Sequence, residues 1–343
     1  MFGIYRYFLA VAVMVAHVAP REWSWGGSKF MGMYVLFSFY ALSGYLMTSI
    51  LQSRYPYSPT GLWRFAVNRL LRIFPAYWAT AAFALVVAMA LPDESRRAAP
   101  NFAVPTSGGD WLRAAIIAGT QLLPPYNLLV PQIWSLSVEL FYYGLMALVL
   151  SRHRIIASIW LLLSVIGTYW FMYVKGASLW YVGYLSHAAG SLPFSVGAAI
   201  SAWRYSIARV VRGWQLPLAV VAFLANLIVS RGFLGPDFRT GFYLSIFLGG
   251  WVLACLARFD ASRAPVWLRK IDENLGKFSY PLYLCHLAFA AIALRIEPRL
   301  PVVGTLGVFL FTAMASHMFS WVIIQLVDAP IERIRARLRP PPN

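Results

Sequence analysis

Charge is scarce in this chain. Of its 343 residues only 12% are Asp, Glu, Lys or Arg, while 60% are hydrophobic; a soluble domain carries about a quarter charged residues. With a mean hydropathy of +0.64, that shortage excludes an ordinary soluble domain and predicts an integral membrane protein. Acidic groups are the scarcer kind, 12 Asp and Glu against 29 Lys and Arg, for a net charge of +17. Such an excess would suit nucleic acid, but the basic residues fall in short loops between apolar runs. That pattern reads as topology and attraction to anionic lipid, so the bilayer and not a nucleic acid is the expected partner. The two cysteines, Cys255 and Cys285, lie in apolar segments, with no disulfide framework and no metal-ligand spacing. No metal is expected, and no internal repeat is evident. Aromatic residues are plentiful (14 Trp, 19 Tyr, 23 Phe), as interfacial belts and packed helices require.

A bilayer core needs about 20 apolar residues per helix. Ten segments qualify as expected spans: 4–20, 30–51, 73–91, 132–150, 155–174, 185–203, 215–230, 241–257, 279–295 and 303–327. The expectation is an all-α polytopic membrane bundle, 1–335 forming one domain and 336–343 a basic, Pro-rich tail. The stretch 111–123 is apolar but short and ends at Pro124-Pro125, which predicts a re-entrant or interfacial segment. With a cytoplasmic N-terminus, most of the Lys and Arg fall on the cytoplasmic side, predicting an even number of spans and both termini in the cytoplasm. Arg6, an apolar run and small residues at Ala16–Ala19 imitate a signal peptide, but Pro20 and Arg21-Glu22-Trp23 make a poor cleavage region. The long segment 92–131 is too rich in Pro, Gly and Ser for a separate domain. The basic tail from Ile331 to Arg339 is expected to lie on anionic headgroups.

Arg6 and His17 stand eleven residues apart in the first span, three helical turns plus about 20°. Both project from one face, about 16 Å apart along the axis. Ionisable groups inside a bilayer are costly, so the pair is a candidate site. Histidine can act as a base near neutral pH, and arginine forms forked hydrogen bonds to phosphate. The plain alternative is a snorkelling arginine and a packing histidine.

Arg69 and Arg72, in Arg69-Leu70-Leu71-Arg72-Ile73-Phe74-Pro75, are neighbours if helical and could clamp a pyrophosphate; Pro75 suits the first turn of the third span. Ser43-Gly44 would allow close helix approach. Glu139 is the only acid placed well inside a span, with Ser135 one turn before it and Tyr142 and Tyr143 about one turn after. It must be paired, hydrogen-bonded or protonated, and could orient His17, align an acceptor hydroxyl or join two helices. Ser279, Tyr283 and His286 share one helical face. His153, His187 and His317 read as structural.

Together these segments resemble the bacterial membrane-bound acyltransferase-3 family. The similarity lies in Arg6-x10-His17, Phe39-Tyr40-Ala41-Leu42-Ser43-Gly44-Tyr45-Leu46, Arg69-x-x-Arg72-Ile73-x-Pro75-x-Tyr77-Trp78, Trp134-Ser135-Leu136-Ser137-Val138-Glu139 and Ser279-Tyr280-Pro281-Leu282-Tyr283-Leu284-x-His286. It departs locally, since Tyr40-Ala41 stands where the family commonly has Phe and Val, and Leu36-Phe37-Ser38 lacks a polar residue often found there. The resemblance implies a multi-pass enzyme of the bacterial inner (plasma) membrane. It would move an acyl group, acetyl above all, from cytoplasmic acyl-CoA to a hydroxyl of a carbohydrate, glycolipid or secreted acceptor. Acyl-CoA is then a co-substrate, and no permanently bound cofactor is expected. Some members carry a fused extracytoplasmic hydrolase-like domain; its absence here favours direct transfer or a separate extracytoplasmic partner.

The expected site has His17 and Glu139 as catalytic residues, His17 as general base and Glu139 orienting the base or the acceptor, with Arg6, Arg69 and Arg72 on the donor phosphates, and Ser43, Trp134, Ser137, Tyr283 and His286 contacting substrate. It also predicts a passage joining the arginines to His17. The alternative is a transporter or lipid-linked sugar flippase using the same polar interior; the paired, interrupted half-repeats common in transporters are not seen.

Overall fold

A computed structural model describes residues 1–19, 28–119, 127–179, 181–229, 239–259, 264–297 and 304–340. It is 86% helical, with no strand among the described residues. In chain order the helices are α1 (Phe2–Val18), α2 (Ser28–Ser53), α3 (Pro59–Ala90), α4 (Pro92–Ala98), α5 (Gly108–Ile116), α6 (Trp134–Leu145) and α7 (Arg154–Tyr169). They continue with α8 (His187–Ala202), α9 (Arg204–Val210), α10 (Gln215–Val229), α11 (Arg239–Arg258), α12 (Val266–Ile296), α13 (Gly304–Ile323) and α14 (Ala329–Leu338).

Within the described residues each of the ten expected segments coincides with a helix, at shifted boundaries. By length and apolarity, seven described helices can cross a membrane, or eight if α9 and α10, bent by 96° at their junction, form one span. The 17-residue α1 and 16-residue α8 are shorter. The fold is a polytopic helical membrane bundle.

Two boundaries depart instructively from the expectation. The third helix begins at Pro59, not near 73. Ser58 Oγ accepts from the Gly61 N–H at 3.1 Å, and Pro59 occupies the first turn, a strong start signal. Pro75 therefore lies inside a 32-residue helix, as bilayer helices permit when neighbours satisfy the freed backbone. Arg69 and Arg72 sit within this helix, before the proline. The ninth expected segment likewise extends back to Val266, so Asp272 and Lys277 are helical.

Close approach sets the two contacts that shape the interior. α1 and α12 run parallel, and a Cβ on Gly3 would strike the Asp272 carbonyl, while one on Gly276 would meet the Gly3 Cα at 2.9 Å. Asp272 Oδ1 accepts from the Ile4 N–H at 2.9 Å, and the Met1 amine lies 3.6 Å from Oδ2. A carboxylate there satisfies an orphan donor and complements the helix dipole. The second contact is between α2 and α8, where Gly197 abuts the Ala41 carbonyl and Gly44 the Phe194 carbonyl. Gly44 thus has the packing role expected of it.

The segment 92–131 is tied to α3. Tyr77 donates to the Ala114 carbonyl at 2.5 Å and Trp78 Nε1 to that of Ala115 at 3.0 Å. The nine-residue α5 is about 14 Å long, too short to span; Pro124-Pro125 lies outside the described residues. The C-terminal segment departs from the expected headgroup position in one respect. α14 packs on α3, with Arg335 buried and donating to the Asn68 side chain at 3.1 Å. Asn68 inside the bundle gives this cation a partner that headgroups would otherwise supply. Arg333 and Arg337 remain exposed.

Candidate active site

Five helices bring their polar residues to one internal cavity of about 140 Å³. α1 contributes Arg6; α2 contributes Phe39, Tyr40 and Ser43; α3 contributes Arg69 and Arg72; α6 contributes Ser135, Glu139 and Tyr143; and α12 contributes Ser279, Tyr280 and Tyr283. Five of the expected positions besides Arg72, namely Arg6, Ser43, Arg69, Glu139 and Tyr283, therefore meet here from segments far apart in sequence. At its arginine end the cavity shares Arg6, Leu46, Met47, Arg69 and Arg72 with a wider vestibule of about 850 Å³, which extends past Lys277, Asp328, Arg335 and Arg339.

The arginines are held unequally. Arg72 Nη1 lies 3.6 Å from Asp328 Oδ2. Arg69 Nη2 makes a long contact of 3.4 Å to Asn68 Oδ1. Arg6 Nε and Arg69 Nε are buried without a hydrogen-bond partner. A buried guanidinium N–H left unmatched is expensive; both residues line the cavity, and guanidinium groups suit an anion that takes forked hydrogen bonds.

Glu139 is fixed from two sides. Ser43 Oγ donates to Oε1 at 2.5 Å, and the Tyr143 hydroxyl, one turn on, donates to the same oxygen. Of the three roles open to it, this geometry matches the joining of helices α2 and α6, at the wall of the arginine cavity. The polar partner of His17 is instead His286. Nδ1 of His17 lies 2.9 Å from Nε2 of His286, and the rings are nearly parallel, 6° apart, with centroids separated by 5.1 Å. Most of that separation is the hydrogen bond itself, so the rings meet edge to edge. His286 is fully buried, and its Nδ1 lies 3.2 Å from the Leu282 carbonyl. His17 is exposed at the far end of α1 from Arg6.

The passage expected between arginines and His17 is not continuous. The lining includes Phe39 and Tyr283, whose ring centroids lie 6.5 Å apart, but not His17. Tyr283 bridges the two regions, its ring 6.3 Å from that of His286. Its hydroxyl is 2.7 Å from Ser135 Oγ and donates to the Gln132 carbonyl at 3.0 Å. Trp134 packs edge-on against Tyr184 at 4.9 Å, and Ser137 is buried; neither lines the cavity.

The other histidines have local partners. Tyr7 donates to His317 Nε2 at 2.8 Å, His153 Nδ1 caps α7 through the Ile155 N–H at 3.2 Å, and His187 lies 4.7 Å from the Phe141 ring. Among the described residues no group of three or more His, Cys, Asp or Glu is placed to hold a metal ion.

Sequence reasoning misses Asp328 and Asn68, which hold Arg72 and Arg69. Asp328 falls one residue beyond the last expected span; the signal for it was its position before Ala329-Pro330, where a new helix starts. Gln132 is also missed, although its amide donates to the Tyr283 and Leu284 carbonyls at 2.6 and 2.9 Å and fixes α6 to α12.

A family model described as an acyltransferase domain matches residues 4–325, nearly the whole chain. A comparison with curated proteins and another with solved structures found no match.

Proposed function

This chain belongs to the membrane acyltransferase-3 family, and on that premise we propose that it is an acyl-CoA-dependent O-acyltransferase of the bacterial inner membrane. It transfers an acyl group, acetyl in the first instance, to a hydroxyl of a carbohydrate or other envelope acceptor. The observation that carries this reading is the pair of unpartnered buried guanidinium nitrogens, Arg6 Nε and Arg69 Nε, on two arginines that line a cavity within the helical bundle. A polyphosphate head satisfies those donors and uses Arg72 as well. The vestibule, open on the cytoplasmic side in this orientation, admits the nucleotide. The narrow cavity accommodates the arm, which reaches His17 once Phe39 and Tyr283 part.

The reaction then needs one base. The acceptor O–H attacks the thioester carbonyl while His17 takes its proton. The new C–O bond forms, the C–S bond breaks, and the thiolate recovers the proton from His17 as free CoA leaves. Glu139 holds the cavity wall in place from Ser43 and Tyr143. Ser43 and Tyr283 contact the donor arm. The acceptor meets His17 from its exposed side, with direct transfer or handover to a separate extracytoplasmic partner.

The test uses membranes containing the protein, radiolabelled acetyl-CoA and the glycans of the host envelope. Label incorporated with the wild type and lost with well-expressed His17→Ala supports the assignment. Full incorporation with His17→Ala overturns the base, and movement of a sugar substrate without any incorporation favours a transporter.

A further inference from the structure

His286 lies outside the arginine cavity, is fully buried, and directs both ring nitrogens at named partners. The Leu282 carbonyl can only accept, so His286 Nδ1, 3.2 Å away, carries the proton of that bond. A neutral His286 therefore presents a lone pair at Nε2. Nδ1 of His17, 2.9 Å from that lone pair, must in turn carry its own proton. The remaining nitrogen of His17, Nε2, is left unprotonated and points away from α12, because the two imidazole nitrogens face different directions.

The register of the two helices makes this arrangement reproducible. Gly3 meets Asp272 at one end of the α1–α12 contact and His17 meets His286 at the other, both pairs separated by 269 positions in the chain. Gln132 grips α12 at Tyr283 and Leu284, next to the carbonyl that orients His286.

We propose that His286 is a positioning residue that fixes His17 in the tautomer whose Nε2 accepts the acceptor-hydroxyl proton. The proposal rests on the reading of His17 as base and assigns His286 a task other than substrate contact. Free imidazole populates both tautomers, and a base held in the wrong one has an N–H where its lone pair is needed. When His17 takes the proton it becomes an imidazolium whose Nδ1–H still donates to the neutral His286, so the charge is stabilised without a buried carboxylate. The logic matches that of a catalytic triad's orienting residue, with a neutral ring and a backbone carbonyl in place of the acid.

The experiment labels the five histidines with ¹⁵N and reads their tautomers by NMR in the detergent-solubilised full chain, alongside kinetics. In the wild type His17 is expected in the Nδ1–H form. His286→Leu should shift His17 toward the Nε2–H form and lower kcat about 100-fold, leaving KM for the acyl donor unchanged. His286→Gln, whose amide oxygen can replace the Nε2 acceptor, should restore both the tautomer and most of kcat. A purely structural role would make the Leu and Gln variants alike and leave the His17 tautomer indifferent to either. An Nε2–H form of His17 in the wild type, or an unaltered tautomer in His286→Leu, overturns the proposal. A correct wild-type tautomer in a protein that transfers no acyl group defeats the functional reading instead and leaves the tautomer assignment standing.

Discussion

The Ser43 hydroxyl on α2 donates to the Glu139 carboxylate on α6 across 2.5 Å, joining two helices on the wall of the arginine cavity. Tyr143 donates to the same oxygen. Glu139→Gln keeps an acceptor for both hydroxyls and should lose less than about 1 kcal/mol. Glu139→Leu strands both donors in a buried site and should cost about 1–3 kcal/mol. Thermal unfolding of the two purified variants checks the difference; equal midpoints would remove the stabilising role from the hydrogen bonds.

The α2–α8 contact depends on Gly197, where a side chain would collide with the Ala41 carbonyl. That obstacle is backbone and cannot swing aside. Gly197→Val should therefore separate the helices and destabilise the bundle by about 3 kcal/mol or more. Loss of a monodisperse peak in size-exclusion chromatography is the expected result; wild-type behaviour would show that the helices have slack there.

Much of this was legible from the chain alone because helical periodicity carries it. Arg6 and His17 do lie along one helix, Arg6 at the cavity and His17 at the opposite, exposed end, and Arg69 and Arg72, three apart, line one cavity. The partner of His17 was hidden, because which face of α12 meets α1 depends on the approach of Gly3 to Asp272 and Gly276, a tertiary contact no local pattern encodes. Glu139 drew attention as a buried acid, yet its partners are on its own helix and on α2, not at His17. Pro75 misleads for a physical reason. A proline reads as a helix start in water, whereas here the interior of α3 tolerates it, and the Tyr280 hydroxyl, 2.9 Å from the Ile73 carbonyl, supplies polar contact nearby.

Phe39 and Tyr283 line the cavity with their rings 6.5 Å apart, so added bulk there should obstruct the arm without touching the head. Phe39→Trp is expected to lower kcat for acyl transfer at least tenfold, with donor affinity within twofold of wild type. Steady-state transfer together with equilibrium binding separates the two quantities. A wild-type kcat would place the path elsewhere.

Asp328 holds Arg72 at 3.6 Å, in competition with any anion. Asp328→Asn removes that carboxylate and should strengthen binding of CoA about threefold, an effect the size of a modest ion pair. The gain should shrink as salt is raised, because partly exposed charges are screened. Weaker binding would show that the ion pair is needed to aim Arg72.

The most direct measurement of the central claim is equilibrium binding of acetyl-CoA to the purified protein in lipid nanodiscs, comparing wild type, Arg69→Ala and His17→Ala. Loss of a charge-assisted hydrogen bond is worth about 1.5–3 kcal/mol, so Arg69→Ala should raise Kd by about 10- to 100-fold. His17→Ala, at the opposite end of α1, should bind as the wild type does while transferring nothing. Unchanged affinity in Arg69→Ala, or no binding by the wild type at all, would contradict the account.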